Sequence, residues 1–127
     1  KRWQHQHFHA LLSAYKKSPY YDYYADMLEP FFVKRWEWLA EYNIEIARTM
    51  LQMMGIEREL RVSESYVEAT PEDVDLRGKK CFLASTFDEP LRPYTQVFSD
   101  RLDFEAGLSI IDLFFCEGPY ASQLLCP

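Results

Sequence analysis

Glycine is scarce in this chain, which has only 4 glycines among its 127 residues. Neither of the familiar glycine-rich phosphate-binding patterns occurs: there is no GxGxxG and no GxxxxGK followed by Ser or Thr. Such loops need glycine where the backbone approaches a phosphate closely. The sequence therefore argues against a glycine-rich phosphate-binding scaffold.

Cysteines, apolar runs and basic residues are also few. The three cysteines, Cys81, Cys116 and Cys126, form no CxxC pair, which favours reduced thiols in a cytosol over a disulfide framework. We therefore expect a cytoplasmic protein. No apolar run approaches the ~20 residues that span a bilayer. Since 14 basic residues face 20 acidic ones, for a formal charge of −6, we expect neither membrane insertion nor nucleic-acid binding.

Aromatic residues are abundant, with 9 Tyr, 9 Phe and 3 Trp making up 17% of the chain. This apolar surface is enough for a core without metals or disulfides, and the length fits one domain. We expect a single compact domain over residues 1–127, mainly α with minor strand content, built around one long central helix. A start at Lys1, with neither Met nor an apolar signal core, indicates that the chain begins partway through a longer protein.

Two short helices are predicted in the first 30 residues. Phe8, Leu11, Leu12 and Tyr15 recur at the spacing of one buried helical face. Pro19 should stop this helix, because proline cannot continue a helical hydrogen-bond ladder. A second, aromatic helix or turn is predicted over Tyr20–Leu28, closed by Pro30.

The most regular helical pattern follows. Apolar side chains spaced alternately by four and three residues predict a helix over Phe32–Met54, about six turns long. Gly55 then stands where a helix-ending residue is expected. We expect this helix to be the longest element, with the following residues buried along one stripe: Trp36, Leu39, Ile46 and Met50.

The second half of the chain gives weaker patterns. Alternation over Glu59–Val67 predicts one short strand, and Thr70 followed by Pro71 predicts the start of a short helix ending near Gly78. Two prolines and the lack of any period make residues 79–92 a predicted flexible loop. Helix is predicted again from Ser109 to Cys116.

The three histidines, His5, His7 and His9, are spaced two residues apart. In a helix His5 and His9 share one side, whereas in a strand all three would point one way and could hold Zn²⁺ or Ni²⁺. The apolar pattern around Phe8 favours a helix, which separates the three. Hydrogen bonding at the helix rim, acid–base chemistry and metal binding all remain open for these residues, and no metal site is predicted.

Two polar residues interrupt apolar helical faces. Asn43 lies on the predicted stripe, where it ties the helix to a neighbouring backbone or contacts a ligand. Asp112 lies in a nearly all-apolar helix, where it is either a general base or part of a cap with Ser109 as N-cap. We expect Asn43 and Asp112 to share one polar pocket, roofed by the loop around Tyr94 and Gln96.

Several segments together resemble the WbqC-like protein family. The resemblance runs along most of Trp3–Leu125, and its most specific piece is the segment 108–113 before Gly118-Pro119. The matching motifs are Trp3-Gln4 with His7, Ser18-Pro19-Tyr20-Tyr21 with Tyr24, Trp36-Glu37 with Leu39 and Asn43, Pro93-Tyr94 with Gln96-Val97-Phe98, and Leu108-Ser109-Ile110-Ile111-Asp112-Leu113.

This resemblance implies a bacterial protein of surface-polysaccharide (O-antigen) biosynthesis, corresponding to the C-terminal two-thirds of the family. It suggests a transferase that moves glycine or another acyl group and acts on a nucleotide-linked or lipid-linked sugar, with no cofactor identified. His7, His9 and Asp112 would be catalytic. The substrate-binding residues would be Trp3, Asn43, Tyr94 and Gln96. The alternative is a non-catalytic binding or assembly module with an aromatic groove for a sugar or a protein.

Overall fold

The computed structural model describes residues 2–73, 75 and 92–125, and its regular structure there is helical. The elements are α1 (Trp3–Tyr15), α2 (Tyr21–Leu28), α3 (Pro30–Val33), α4 (Leu39–Met53), α5 (Ile110–Glu117) and α6 (Ala121–Leu125), with a 3₁₀ turn over Gly118–Tyr120. The mainly α fold is therefore confirmed. The strand predicted over Glu59–Val67 is wrong, because nearly all of those residues are exposed and the described part of the chain contains no strand to pair with them.

The chain divides into two compact units. One consists of Lys1–Arg58 together with Leu91–Pro127, and the other of Glu59–Pro90. In the second unit the Asp73 carboxylate accepts hydrogen bonds from the backbone N–H and the hydroxyl of Thr70, at 2.7 and 2.9 Å. Residues 71–73 and 75 of the helix predicted to follow are described and are not helical. The rest of that helix, and the flexible loop predicted over residues 79–92 apart from residue 92, lie outside the described residues, so the loop stays a prediction.

Helix α1 forms as its apolar spacing predicts. Leu11, Leu12 and Tyr15 are half-buried and pack against the core, and the Phe8 ring lies 5.8 Å from the ring of Phe32. The helix is also fixed at its beginning, because the Gln4 side-chain amide donates to the backbone carbonyl oxygens of Phe31 and Lys34, at 3.0 and 2.8 Å.

The predicted long helix is interrupted, and that prediction is wrong. Lys34 and Trp38 have extended backbone conformations, so residues 34–38 separate α3 from α4. The interruption lets Trp36 fold back, with its ring stacked on that of Phe31 at 5.6 Å and its indole N–H donating to the Pro30 carbonyl oxygen at 3.4 Å. Pro30 begins α3 instead of closing α2. A straight helix would forgo this aromatic contact.

The buried face of α4 is rotated slightly from the predicted stripe, and the difference is in the first turns of the helix. Tyr42, rather than Asn43, turns inward, and its ring lies 5.7 Å from that of Phe31 and 5.5 Å from that of Trp36. Ile46 and Met50 pack against the core as expected. Leu39 is 73% exposed, contrary to prediction, because it is the first residue of the helix and lies beyond the aromatic contact.

The end of α4 matches the prediction. Gly55 has a φ of 66°, and its N–H donates to the carbonyl oxygen of Gln52 at 3.0 Å. The N–H of Ile56 donates to the carbonyl oxygen of Leu51 at 2.9 Å. These two bonds form a Schellman motif, which glycine permits because it adopts positive φ without strain.

Helix α5 supplies the centre of the core. Phe114 and Phe115 are almost fully buried, and they contact the rings of Tyr24 and Tyr21 at 5.5 and 5.1 Å. Gly118 ends the helix with a φ of 56°, and a Cβ added there would lie 2.5 Å from the Tyr20 ring. Glycine is therefore required for the close approach of α5 to the start of α2.

The rotated face of α4 can be tested by a matched pair of substitutions. Met53 is 8% exposed and Leu39 73% exposed. Met53→Ala should lower the free energy of unfolding by about 2–4 kcal/mol, because it removes buried methylenes and leaves a cavity. Leu39→Ala should change it by less than about 0.5 kcal/mol. Urea denaturation of both variants measures this, and equal losses would restore the predicted stripe.

Candidate functional site

The Asp112 carboxylate lies at the centre of the polar contacts around α5. Ser109 is the N-cap of the helix, as predicted, and its hydroxyl oxygen accepts from the N–H of Ile111 at 3.3 Å. Asp112 is only 3% exposed. Its Oδ2 accepts from the Tyr94 hydroxyl at 2.6 Å and from the Gln96 side-chain amide at 3.3 Å. Asp112 therefore binds the loop containing these two residues instead of serving in the cap.

Gln96 holds this loop in shape. Its side-chain amide nitrogen also donates to the backbone carbonyl oxygen of Glu105 at 2.8 Å, while its side-chain oxygen accepts from the Glu105 N–H at 2.9 Å. Its own N–H donates to the Ser99 hydroxyl at 2.8 Å. One side chain thus joins both ends of the segment 96–105 to Asp112.

Two tyrosine hydroxyls, those of Tyr94 and Tyr15, interact with the Asp112 carboxylate. Burial, and then interaction with Asp112, raises the pKa of both Tyr15 and Tyr94 well above the ordinary value of 10.0. Burial and the charge of Asp112 also raise the pKa of the Cys116 thiol, from 9.0 to about 11. At neutral pH the two hydroxyls are therefore donors, and Cys116 is a protonated thiol with little nucleophilic character.

A cavity of about 180 Å³ adjoins this group. Its polar lining includes Tyr15, Gln96, Asp112 and two further carboxylates, Asp103 and Glu105. Apolar walls are supplied by Val97, Phe98, Leu102 and Leu108. Tyr15 marks the place where the end of α1 meets this cavity.

A second cavity, of about 320 Å³, shares part of its wall with the first. Ala14, Val97 and Phe98 line both cavities. In the second cavity the charged side chains are Lys16 and Lys17, which follow the last turn of α1. Carboxylates therefore line one cavity and ammonium groups the other.

The histidines occupy the opposite end of α1. As the helical interpretation predicts, His5 and His9 share a side, with their Nε2 atoms 3.0 Å apart, whereas His7 packs edge-on against Trp3 at 5.5 Å. The strand arrangement with three aligned histidines is wrong. At 1.5 Å of rise per residue, His9 lies about 9 Å along the axis from Tyr15. The histidines are therefore separated from the Asp112 cavity.

Asn43 also lies elsewhere. It is exposed on α4, next to Tyr42, whose ring contacts that of Trp3 at 5.8 Å. The predicted pocket shared by Asn43 and Asp112 is wrong for Asn43, because the rotation of α4 turns that side chain to solvent. It is right for Tyr94 and Gln96, which contact Asp112 directly.

Comparison with known families supplies the remaining observation. The chain matches the WbqC-like protein family over residues 1–87, more than half of its length. It belongs to the WbqC-like protein family. Neither the curated proteins nor the solved structures contain a match to it.

Most residues that line the Asp112 cavity lie outside the family match of this WbqC-like chain, although Ala14 and Tyr15 lie within it. Trp3, His7, His9 and Asn43 lie within the matched residues 1–87. Tyr94, Gln96 and Asp112 follow them, in the part of the chain that carries the cavity. The catalytic and substrate-binding roles assigned to these residues stay predictions.

The described residues lack both a cluster of metal ligands and a membrane-spanning helix. They include no group of three or more His, Cys, Asp or Glu placed to hold a metal ion. Among their helices, none has both the length and the apolar character needed to cross a membrane.

Sequence reasoning missed three residues at the WbqC-like cavities. The spacing predicts Tyr15 only as part of the apolar face of α1, and no pattern predicts a role for Lys16 and Lys17 in a site. Their positions beside the loop 92–105 depend on how α1 and α5 meet, which spacing along the chain does not reveal. The tyrosine at the end of the helix, followed by two lysines, was the available signal.

The Tyr94–Asp112 contact has a pH-dependent consequence. Because the folded protein holds the Tyr94 proton more tightly than the unfolded chain, its contribution to stability is complete below pH 10 and lost as the pH rises beyond it. Tyr94→Phe should lower the free energy of unfolding by about 1–3 kcal/mol at pH 7. It should also make the loss of stability above about pH 10 less steep.

Guanidinium denaturation between pH 7 and pH 11 measures both effects, with Tyr120→Phe as the control at an exposed tyrosine. The control should behave as the parent protein does. Identical pH profiles for the parent and Tyr94→Phe would contradict the burial of this hydroxyl against Asp112.

Proposed function

We propose that this WbqC-like protein acts in bacterial surface-polysaccharide (O-antigen) biosynthesis, as a transferase that binds a phosphate-linked, activated sugar. Membership of the family supports the setting. The observation that carries the substrate class is the pair of adjoining cavities, one lined by carboxylates and an amide and the other by two lysines. A sugar phosphate carries both matching groups in one molecule, because its hydroxyls suit the carboxylates and its phosphate suits the lysines.

The first cavity suits part of a sugar ring. Its volume of about 180 Å³ fits one small ring, because a protein cavity of about 150 Å³ holds benzene. Carboxylate oxygens of Asp112, Asp103 and Glu105 accept hydrogen bonds from hydroxyl groups. The apolar walls suit the C–H groups of a sugar ring. The nearby carboxylates repel phosphate, so the phosphate is excluded from this cavity.

The second cavity suits the phosphate. Lys16 and Lys17 are adjacent and exposed, so both ammonium groups can reach an anion. Because the whole chain carries a formal charge of −6, an anion binds only where cations are concentrated locally. Lysine binds phosphate through charge-assisted hydrogen bonds.

Asp112 is the group we assign to acid–base chemistry. In an acyl transfer, such as transfer of glycine from an activated acyl donor, the oxygen of a sugar hydroxyl bonds to the acyl carbon, the bond between that carbon and the donor's leaving group breaks, and the hydroxyl must lose its proton. Asp112 borders the cavity where that hydroxyl would lie, while Tyr15 and Tyr94 remain protonated donors that hold the carboxylate in place. In this proposal a separate group of residues lies near the beginning of α1, apart from the two cavities: Trp3, His7, His9 and Asn43.

Saturation-transfer NMR with a panel of nucleotide-linked sugars and the matching free sugars tests the proposal. We expect signal from the sugar and the phosphate-bearing moiety of at least one nucleotide sugar, and much weaker signal from the free sugar. Lys16→Ala with Lys17→Ala should weaken binding about tenfold or more, the effect of losing charged hydrogen bonds. The control is Arg58→Ala with Arg61→Ala, which makes the same charge change elsewhere.

Absence of saturation transfer to every member of the panel would contradict the proposed function. So would equal binding by the lysine variant and the arginine control. Once a ligand is found, Asp112→Asn separates transfer from binding, because it should retain binding and abolish turnover with an acyl donor.

The alternative of a non-catalytic assembly module rests on a different observation. Val33, Trp38 and Leu39 are apolar and 67%, 68% and 73% exposed. Three exposed apolar side chains so close together in the sequence favour a protein contact. Under this alternative the Asp112→Asn variant would lose no activity, because there would be none to lose.

A further inference from the structure

His5 and His9 form a close pair on the exposed side of α1. They are four residues apart, so helical geometry places them on neighbouring turns of one face. Their Nε2 atoms are 3.0 Å apart and their ring centroids 4.2 Å apart. One imidazole thus donates a hydrogen bond to the other through Nε2, and a metal ion bound by both nitrogens replaces that shared proton.

We propose that His5 and His9 together bind a divalent transition-metal ion, Ni²⁺ or Cu²⁺, through their Nε2 atoms. With metal–imidazole bonds of about 2.0–2.1 Å, nitrogens 3.0 Å apart subtend roughly 95° at the ion. That angle fits the square-planar or tetragonal geometry of Cu²⁺ and Ni²⁺.

The pair acts with only two protein ligands. His7, the third histidine, packs against Trp3 on another side of the helix. The described residues offer no group of three ligating side chains, so water completes the coordination sphere. The site is therefore an exchangeable one, open to a further ligand, and unlike a closed structural metal centre.

Binding has a structural effect on α1. The helix has no side-chain cap at Arg2 and no acidic residue in its first turn. A metal bridging positions four residues apart links its first two turns, which also carry the Gln4 contacts to Phe31 and Lys34. Metal binding should thus stabilise the attachment of α1 to α3.

Titration of tag-free protein with NiCl₂ by calorimetry, at pH 7.5, tests the proposal. Ni²⁺ is the probe because thiols reduce Cu²⁺. His9→Gln should bind at least tenfold more weakly than the parent protein, since one imidazole cannot chelate. His7→Gln, which changes an exposed histidine on the same helix, should bind as the parent does.

The parent's affinity should also fall as the pH is lowered from 7.5 to 5.5, because metal-binding ligands must be deprotonated and protons compete with the metal for them. Far-UV circular dichroism checks that both variants remain helical. Equal Ni²⁺ affinity of His9→Gln and the parent would overturn the proposal, as would an equally large loss in His7→Gln. These outcomes are independent of sugar binding, because the pair lies away from both cavities.

Discussion

A carboxylate can be buried only where enough donors replace its hydration, and in this protein that constraint falls on Asp112. Tyr94 and Gln96 supply hydrogen bonds, and Tyr15 interacts with the same group from α1. The donors come from different segments of the chain. Satisfying one charge therefore joins α1, the loop 92–105 and α5, and an unpaired buried carboxylate would be too costly to retain.

The same arrangement creates the surroundings in which chemistry could take place. Because Gln96 also fixes Glu105, acidic and apolar side chains of the loop line one cavity. The end of α1 then places Lys16 and Lys17 at the adjoining one. A carboxylate held by protonated tyrosines beside a cation-lined cavity is what connects this member of the WbqC-like family with a phosphate-linked sugar in our proposal.

Local sequence signals predicted the features that depend on neighbouring residues. The apolar face of α1, the Gly55 ending of α4 and the Ser109 N-cap are set by periodicity and backbone preferences. The break at residues 34–38 and the rotation of α4 were missed, because they depend on the Trp36 ring stacking on Phe31. The grouping of Asp112 with Tyr94 and Gln96 was predicted because a polar exception in an apolar helix needs partners; Asn43, the other exception, is exposed.

The most direct test of the account is a double-mutant cycle between Tyr94→Phe and Asp112→Asn, measured by chemical denaturation at pH 7. If the hydroxyl supports the buried carboxylate at 2.6 Å, the second substitution should cost much less once the first is present. We predict a coupling free energy of about 1–2 kcal/mol between the two sites. Additive effects, within about 0.3–0.5 kcal/mol, would contradict the claim that this contact holds the loop to α5.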